Sequence, residues 1–182
     1  TVTHLLPPKI ENVKYLKDRC ICTACGKEVQ PEVPNAIPNA RFDLSFMVLI
    51  SVLSVGMNLP FGKIKQLLKF LWGFDVSEAT ISNQLTKLSS FLGDDYEKLK
   101  IEIRNETSRN NDETGYRILG KGAWLWTFIS KKIAYYTIEW SRGRKVVKKV
   151  LGSQPKGVDT TDGLHSYDRL KSRKQKCWAH IL

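Results

Sequence analysis

Asn110-Asn111-Asp112-Glu113-Thr114-Gly115 and Val158-Asp159-Thr160-Thr161-Asp162-Gly163 bracket the stretch whose reading decides the fold. Between these acidic segments, residues 116–119 are short and mixed, and Gly120-Lys121-Gly122 reads as a tight turn. Residues 123–130 (Ala-Trp-Leu-Trp-Thr-Phe-Ile-Ser) are aromatic and β-branched, and Lys131-Lys132 breaks the run. Residues 133–140 alternate loosely and stop at Ser141-Arg142-Gly143. Bulky flat side chains suit a pleated surface and glycine supplies turns, so three strands are expected. Val146, Val147, Val150 and Leu151 then fall at helical spacing, with Gly152 as a stop. A further strand near residues 157–161 leads into Asp162.

Asp112 and Asp162 are thus both expected at strand ends, in turns completed by glycine. Two readings follow. Carboxylates gathered at a sheet rim bind hard divalent cations such as magnesium or manganese, which prefer oxygen ligands. Two such ions about 3.5–4 Å apart activate an attacking oxygen and stabilise a leaving one in phosphoryl transfer. The bland reading is ordinary turn chemistry, in which Asp precedes Gly.

The charge of the chain narrows its partners. It has 182 residues and a net charge of +11, enough for one ordinary domain or two small ones. From Ser141 onward, 11 Lys or Arg stand against Asp159, Asp162 and Asp168, so the last 42 residues carry +8 of it. That asymmetry points to a polyanion, most simply nucleic acid, or else to a solvated basic tail. Arg142, Arg144, Lys145, Lys148 and Lys149 are the candidates for phosphate contacts. Residues 1–8 lack the pattern of a signal peptide. The most apolar segment, residues 44–59, is too short to span a bilayer, so it is expected as a core helix with no membrane partner.

Upstream, Cys20-Ile21-Cys22-Thr23-Ala24-Cys25-Gly26 contains a C-x-x-C knuckle. Cys22 and Cys25 could supply two ligands to zinc, with Cys20 or His4 as a third, or the thiols could be free on a hairpin. Pro31, Pro34 and Pro38 make a semi-rigid linker. Residues 41–104 read as helices: Asp43 caps the first, Gly56 and Pro60 end it, and Ile64, Leu67, Leu68 and Leu71 line one face of the second. A turn holding Gly73 leads to Ser77, the cap of a third helix with Ile81, Leu85 and Leu88 inward. This is the layout of a DNA-reading helix-turn-helix and equally of any αα-hairpin. Its exposed residues are expected to be Glu78, Thr80, Ser82, Asn83, Gln84 and Lys87, and Asn and Gln suit adenine edges. Near the end, Cys177 and His180 lie one helical turn apart, as a ligand pair or as a packed Cys beside a hydrogen-bonded His.

Several motifs together resemble one family. Asp112-Glu113-Thr114-Gly115-Tyr116-Arg117, a Gly-Lys turn and Trp124-Leu125-Trp126-Thr127-Phe128 resemble the signature around the first catalytic aspartate of the insertion-sequence 66 family of DDE transposases. Ser141-Arg142-Gly143, then Thr161-Asp162-Gly163 with Ser166-Tyr167, then Cys177-Trp178-Ala179-His180 keep that family's order and spacing. The resemblance implies a ribonuclease-H-like mixed sheet, metal-dependent DNA strand transfer, Asp112 as first acid and Asp162 as second. It also implies transposon-end and target DNA as partners, a homo-oligomer, and a cytoplasmic, nucleoid-associated location. The third acid of the family is a glutamate well downstream, whereas no Glu follows Glu139 here. The catalytic set within residues 1–182 is therefore expected to be incomplete and strand transfer by them alone weak or absent. A second Cys pair usually precedes the knuckle, so Cys22 and Cys25 are read as half of a zinc ribbon.

The expected organisation is a knuckle over residues 1–30, a linker over 31–40, a helical DNA-binding segment over 41–104, and the first part of a catalytic core over 105–182. The alternatives are a non-catalytic DNA-binding protein of transposon origin, and a metal-dependent nuclease such as a resolvase or ribonuclease, which accounts less well for the helical segment.

Overall fold

The computed structural model describes residues 9–38 and 40–180, His180 by its backbone alone. The chain forms two compact units, residues 1–92 and 93–182.

The first unit is built by local signals. Strands β1 (Cys20–Ile21) and β2 (Glu28–Val29) make a small antiparallel hairpin over the cysteine knuckle. Helix α1 (Leu44–Ser51) starts where the Asp43 carboxylate accepts the Phe46 amide at 3.0 Å. It runs on as a π-turn through Gly56. Helix α2 (Phe61–Trp72) follows Pro60 and ends at Gly73, whose φ of 62° is left-handed and costs glycine nothing. Ser77 caps α3 (Glu78–Phe91) by accepting the Thr80 amide at 3.0 Å. Ile50, Leu53, Ile64, Leu68, Val76 and Ile81 form the core between these helices.

The second unit begins with helix α4 (Gly93–Asn105) and is a mixed sheet of five strands. Strands β3 (Ser108–Ile118), β4 (Lys121–Ile129) and β5 (Ala134–Glu139) form an antiparallel meander. Helix α5 (Arg144–Leu151) crosses over to β6 (Val158–Thr161), which lies parallel to β3, and β7 (Arg173–Lys176) adds parallel to β6. The spatial order is β5-β4-β3-β6-β7. With five α-helices among the described residues, this mixed α and β architecture is consistent with a ribonuclease-H-like fold. Val146, Val147, Val150 and Leu151 of α5 pack with Trp126, Phe128 and other core residues on one face of the sheet.

Two sequence expectations fail here. Asn110 to Gly115 is no turn: it is the middle of the 11-residue β3, paired with β4 from Asn110↔Ile129 to Ile118↔Lys121. Residues that favour turns in isolation are held extended by a continuous ladder, the usual way tertiary pairing overrides propensity. The tight turn is also displaced, to Leu119 and Gly120, both with positive φ (49° and 79°), as a two-residue hairpin turn requires. Lys121 and Gly122 belong to β4.

At the mouth of β6, Gly157 has φ +84° and a Cβ there would stand 2.3 Å from the Thr107 carbonyl oxygen. Only glycine permits the adjoining Val158 amide to reach that oxygen at 2.9 Å, and this contact starts the β3–β6 register.

Candidate active site

The β3–β6 ladder pairs Ser108 with Val158, Arg109 with Asp159 and Asn110 with Thr160. Carried two residues further, that register sets Asp112 level with Asp162. Strand β6 stops at Thr161, and Asp162 lies just past its end. Its Oδ1 accepts the Leu164 amide at 2.9 Å, and its backbone oxygen takes the Lys176 ammonium at 3.4 Å. Asp112 Oδ1 accepts the Glu113 amide at 2.9 Å. One carboxylate oxygen each from Asp112, Glu113 and Asp162 lie within 4.8 Å of one another.

Alternation along β3 decides what each acid does. Arg109, Asn111 and Glu113 are buried on the core side, whereas Asp112 is exposed. The Glu113 side chain is fully buried and fully engaged. Arg142 donates to its Oε1 from Nε at 3.0 Å and from Nη2 at 2.9 Å, and the Tyr167 hydroxyl donates to Oε2 at 2.8 Å. Burial first, and then the Glu113 carboxylate, push the Tyr167 hydroxyl far above an ordinary tyrosine, so it stays a donor. Arg142 also lies over the Trp124 ring, 4.5 Å from its centroid. Neither the Asp112 nor the Asp162 carboxylate has an ion-pair partner among the described residues.

Magnesium and manganese are commonly held by one or two carboxylates, with water and substrate phosphate completing the shell. An all-oxygen pair at a sheet rim with no cationic partner is a donor set of that kind. The two aspartates therefore fit such an ion, and Glu113 is already saturated.

The remaining candidates are scattered. Arg144, Lys145, Lys148 and Lys149 are exposed on α5, and Lys149 Nζ pairs with Glu139 at 2.5 Å. That hydrogen bond raises the Lys149 ammonium above an ordinary lysine. Arg142 is only partly exposed and turned onto Glu113. On α3, Asn83 and Lys87 are exposed, and Thr80 and Ser82 are half-buried. Gln84 corrects the expected exposed set: it is 6% exposed, because it follows Ile81 by three residues and shares its inward face. In the knuckle, Cys22 is half-buried and Cys25 exposed. Backbone hydrogen bonds from Cys25 and Ala24 lower the Cys22 thiol below an ordinary cysteine. The group of three ligand-capable side chains among the described residues is the acidic one, not the cysteines. Cys177 follows β7 and donates its amide to the Thr161 oxygen at 2.8 Å. The His180 side chain and His4 lie outside the described residues.

Sequence reasoning missed Glu113, Tyr167 and Trp124 as members of the site. It also missed that Arg173, Lys174 and Lys176 form β7, an exposed basic strand beside β6. A period-2 reading of residues 109–113 would have found Glu113, had the segment not been taken for a turn.

The Transposase IS66 family pattern matches residues 39–182. The chain belongs to this transposase family. No curated protein matches it. Among solved structures, a cryo-EM structure of the simian T-cell lymphotropic virus intasome with the PP2A regulatory subunit B56 gamma shares 12% identity at a TM-score of 0.34. That match covers 40% of this chain and 32% of the other. In this family member no helix among the described residues is long and apolar enough to cross a membrane.

Proposed function

We propose that residues 105–182 are the first part of a DDE catalytic core, and that Asp112 and Asp162 are its first two acids, binding magnesium or manganese. The observation that carries this reading is the level placement of two unpaired aspartates at the end of β6. When bound, the divalent ion supplies positive charge to the attacking and leaving oxygens of phosphodiester cleavage and strand transfer. The chain's own part is to bind and orient. Asp112 and Asp162 would hold that ion at the rim, and Lys176 stands beside Asp162 to meet a phosphate oxygen. Arg144, Lys145 and Lys148 on α5 hold the DNA backbone through sequence-tolerant contacts. Asn83 and Lys87, with Thr80 and Ser82 beside them on α3, are the candidates for reading transposon ends, as the second helix of a helix-turn-helix. Cys22 and Cys25 are half of a zinc site.

The test is calorimetric titration of residues 1–182 with Mn2+, alongside Asp112→Ala and Asp162→Ala. Binding in the parent that either substitution abolishes supports the reading. DNA affinity unaffected by these substitutions, together with no Mn2+ binding in the parent, supports a non-catalytic DNA-binding protein of transposon origin. That reading draws on the commitment of the nearby third carboxylate, Glu113, to Arg142 and Tyr167.

A further inference from the structure

We infer that Glu113 is a positioning residue: through Arg142 and Tyr167 it fixes the loop that carries Asp162 relative to Asp112, and it is not itself a metal ligand. The inference rests on the two-aspartate reading above and extends it to the residues that set its geometry.

The sheet alone does not position Asp162. The ladder with β3 ends at Asn110↔Thr160, and beyond it no backbone pairing joins β3 to the Asp162 segment. After Asp162 the chain turns through Leu164 into a 3-10 turn, His165–Tyr167. The far end of this loop is anchored to β3 by the Tyr167 hydroxyl on Glu113. The Ser166 hydroxyl donates to the Arg142 carbonyl oxygen at 2.6 Å, and Arg142 grips the same glutamate. Trp126 Nε1 donates to the Ser141 oxygen at 3.1 Å and steadies the turn from below. Thus the Ser141-Arg142-Gly143 turn and the Ser166-Tyr167 pair, far apart in sequence, converge on one buried carboxylate adjacent in sequence to Asp112.

Charge and stereochemistry separate the two roles. Glu113 is fully buried, and its two oxygens accept three donors, two of them from a guanidinium. A cation ligated there would have to displace Arg142 and would leave that arginine unpaired beside a divalent charge. Partners of this kind orient the ligands of a metal, and their loss typically lowers metal affinity by about 10–100-fold without abolishing the site.

The experiment uses residues 1–182 as parent with Glu113→Gln and Tyr167→Phe, each checked by near-UV circular dichroism. Tyr167→Phe removes a single hydroxyl and remains informative if Glu113→Gln fails to fold. Two quantities are read: Mn2+ affinity by calorimetry, and hydrogen exchange of the Leu164 amide, which Asp162 Oδ1 accepts. The expectation is Mn2+ binding weakened about 10–100-fold in Glu113→Gln and about tenfold in Tyr167→Phe, with unchanged stoichiometry. Leu164 exchange should quicken by about tenfold in both, since its acceptor loses its fixed position. Complete loss of Mn2+ binding in Glu113→Gln, with Tyr167→Phe unaffected, overturns the inference in favour of Glu113 as a ligand. Unchanged affinity and unchanged Leu164 exchange in both variants overturn it in favour of a purely structural role. If the parent binds no Mn2+, the two-aspartate reading fails by itself. The metal-free Leu164 exchange then decides the positioning role alone.

Discussion

Two charged pairs three residues apart carry opposite electrostatic designs: Arg109↔Asp159, a rung of the β3–β6 ladder, and Asp112 with Asp162, just beyond the ladder's end. At Arg109↔Asp159 the sheet buries a complementary pair, and both side chains are fully inaccessible. Arg109 donates to both Asp159 oxygens, at 2.8 and 3.1 Å. It also donates to the carbonyl oxygens of Ile103, Arg104 and Glu106 at the end of α4, and to that of Lys156. Asn111 adds a bond to Asp159 at 2.8 Å. At the level of Asp112 and Asp162 the sheet instead leaves two like charges at the rim, neither carboxylate ion-paired among the described residues. The first pair uses electrostatics to hold the fold, and the second, on the two-aspartate reading proposed above, is where a cation would sit.

Breaking the buried rung has the largest expected effect. Removing one partner of a buried, fully hydrogen-bonded ion pair strands the other charge and costs about 3–5 kcal/mol. Arg109→Ala should lose that much in denaturant unfolding followed by tryptophan fluorescence, which reports the core around Trp126. A loss below about 1 kcal/mol would mean the pair is hydrated in solution. The same rung sets an acid limb. Burial pushes the Asp159 carboxyl up, but the hydrogen bonds led by Arg109 outweigh burial and hold it below the ordinary carboxylate range. A depressed folded pKa means stability that is present above the unfolded value of about 3.9 and is lost as pH falls through the folded one. Asp159→Asn should be less stable than the parent at neutral pH and should flatten the fall in stability as pH drops below the ordinary carboxylate range, measured by unfolding at a series of pH values.

The rim pair, Asp112 and Asp162, should respond in the other sense. Asp162→Asn keeps the side-chain shape and the oxygen that accepts the Leu164 amide, and removes one of two like charges. Without metal its stability should equal the parent's or exceed it by up to about 1 kcal/mol, the scale of exposed pairwise charge effects. With saturating Mg2+ the order should reverse, because a ligand that binds only the folded parent stabilises it by mass action. A thermal scan of both proteins with and without Mg2+ checks this, and a destabilised Asp162→Asn in metal-free buffer would contradict it.

These pairs also show what a sequence can and cannot disclose. The first unit was legible because its signals are local: Asp43 and Ser77 cap helices, Gly73 ends one, and the apolar spacing of α2 follows from its own residues. Strand β3 was not, because its partners sit in β4 and β6 and its own Asn-Asn-Asp-Glu-Thr-Gly run favours a turn. Reading it as a turn singled out Asp112 and Asp162, which the fold brings together, but hid the alternation that separates exposed Asp112 from buried Glu113. The inward turn of Gln84 was legible in the spacing from Ile81, and its amide chemistry drew attention away from that spacing.

The contrast between compensated and uncompensated charge recurs on one helix and gives the smallest effect. Lys149 is paired with Glu139, whereas Lys148, its neighbour on the exposed side of α5, has no ion-pair partner among the described residues. Both count equally in net charge, yet their worth to a DNA partner should differ. A phosphate contact from Lys148 releases counterion with nothing to give up, and Lys149 must first loosen its hold on a carboxylate. Lys148→Gln should reduce the slope of log affinity against log salt by about 0.9. Lys149→Gln should change it by less, and should also leave the Glu139 carboxylate unpaired and facing the DNA, which lowers affinity most at low salt. Fluorescence anisotropy with a short duplex at several salt concentrations separates the two variants. Equal slope changes would show that Glu139 releases Lys149 freely on binding, and no change in either would move the DNA path away from α5, towards β7.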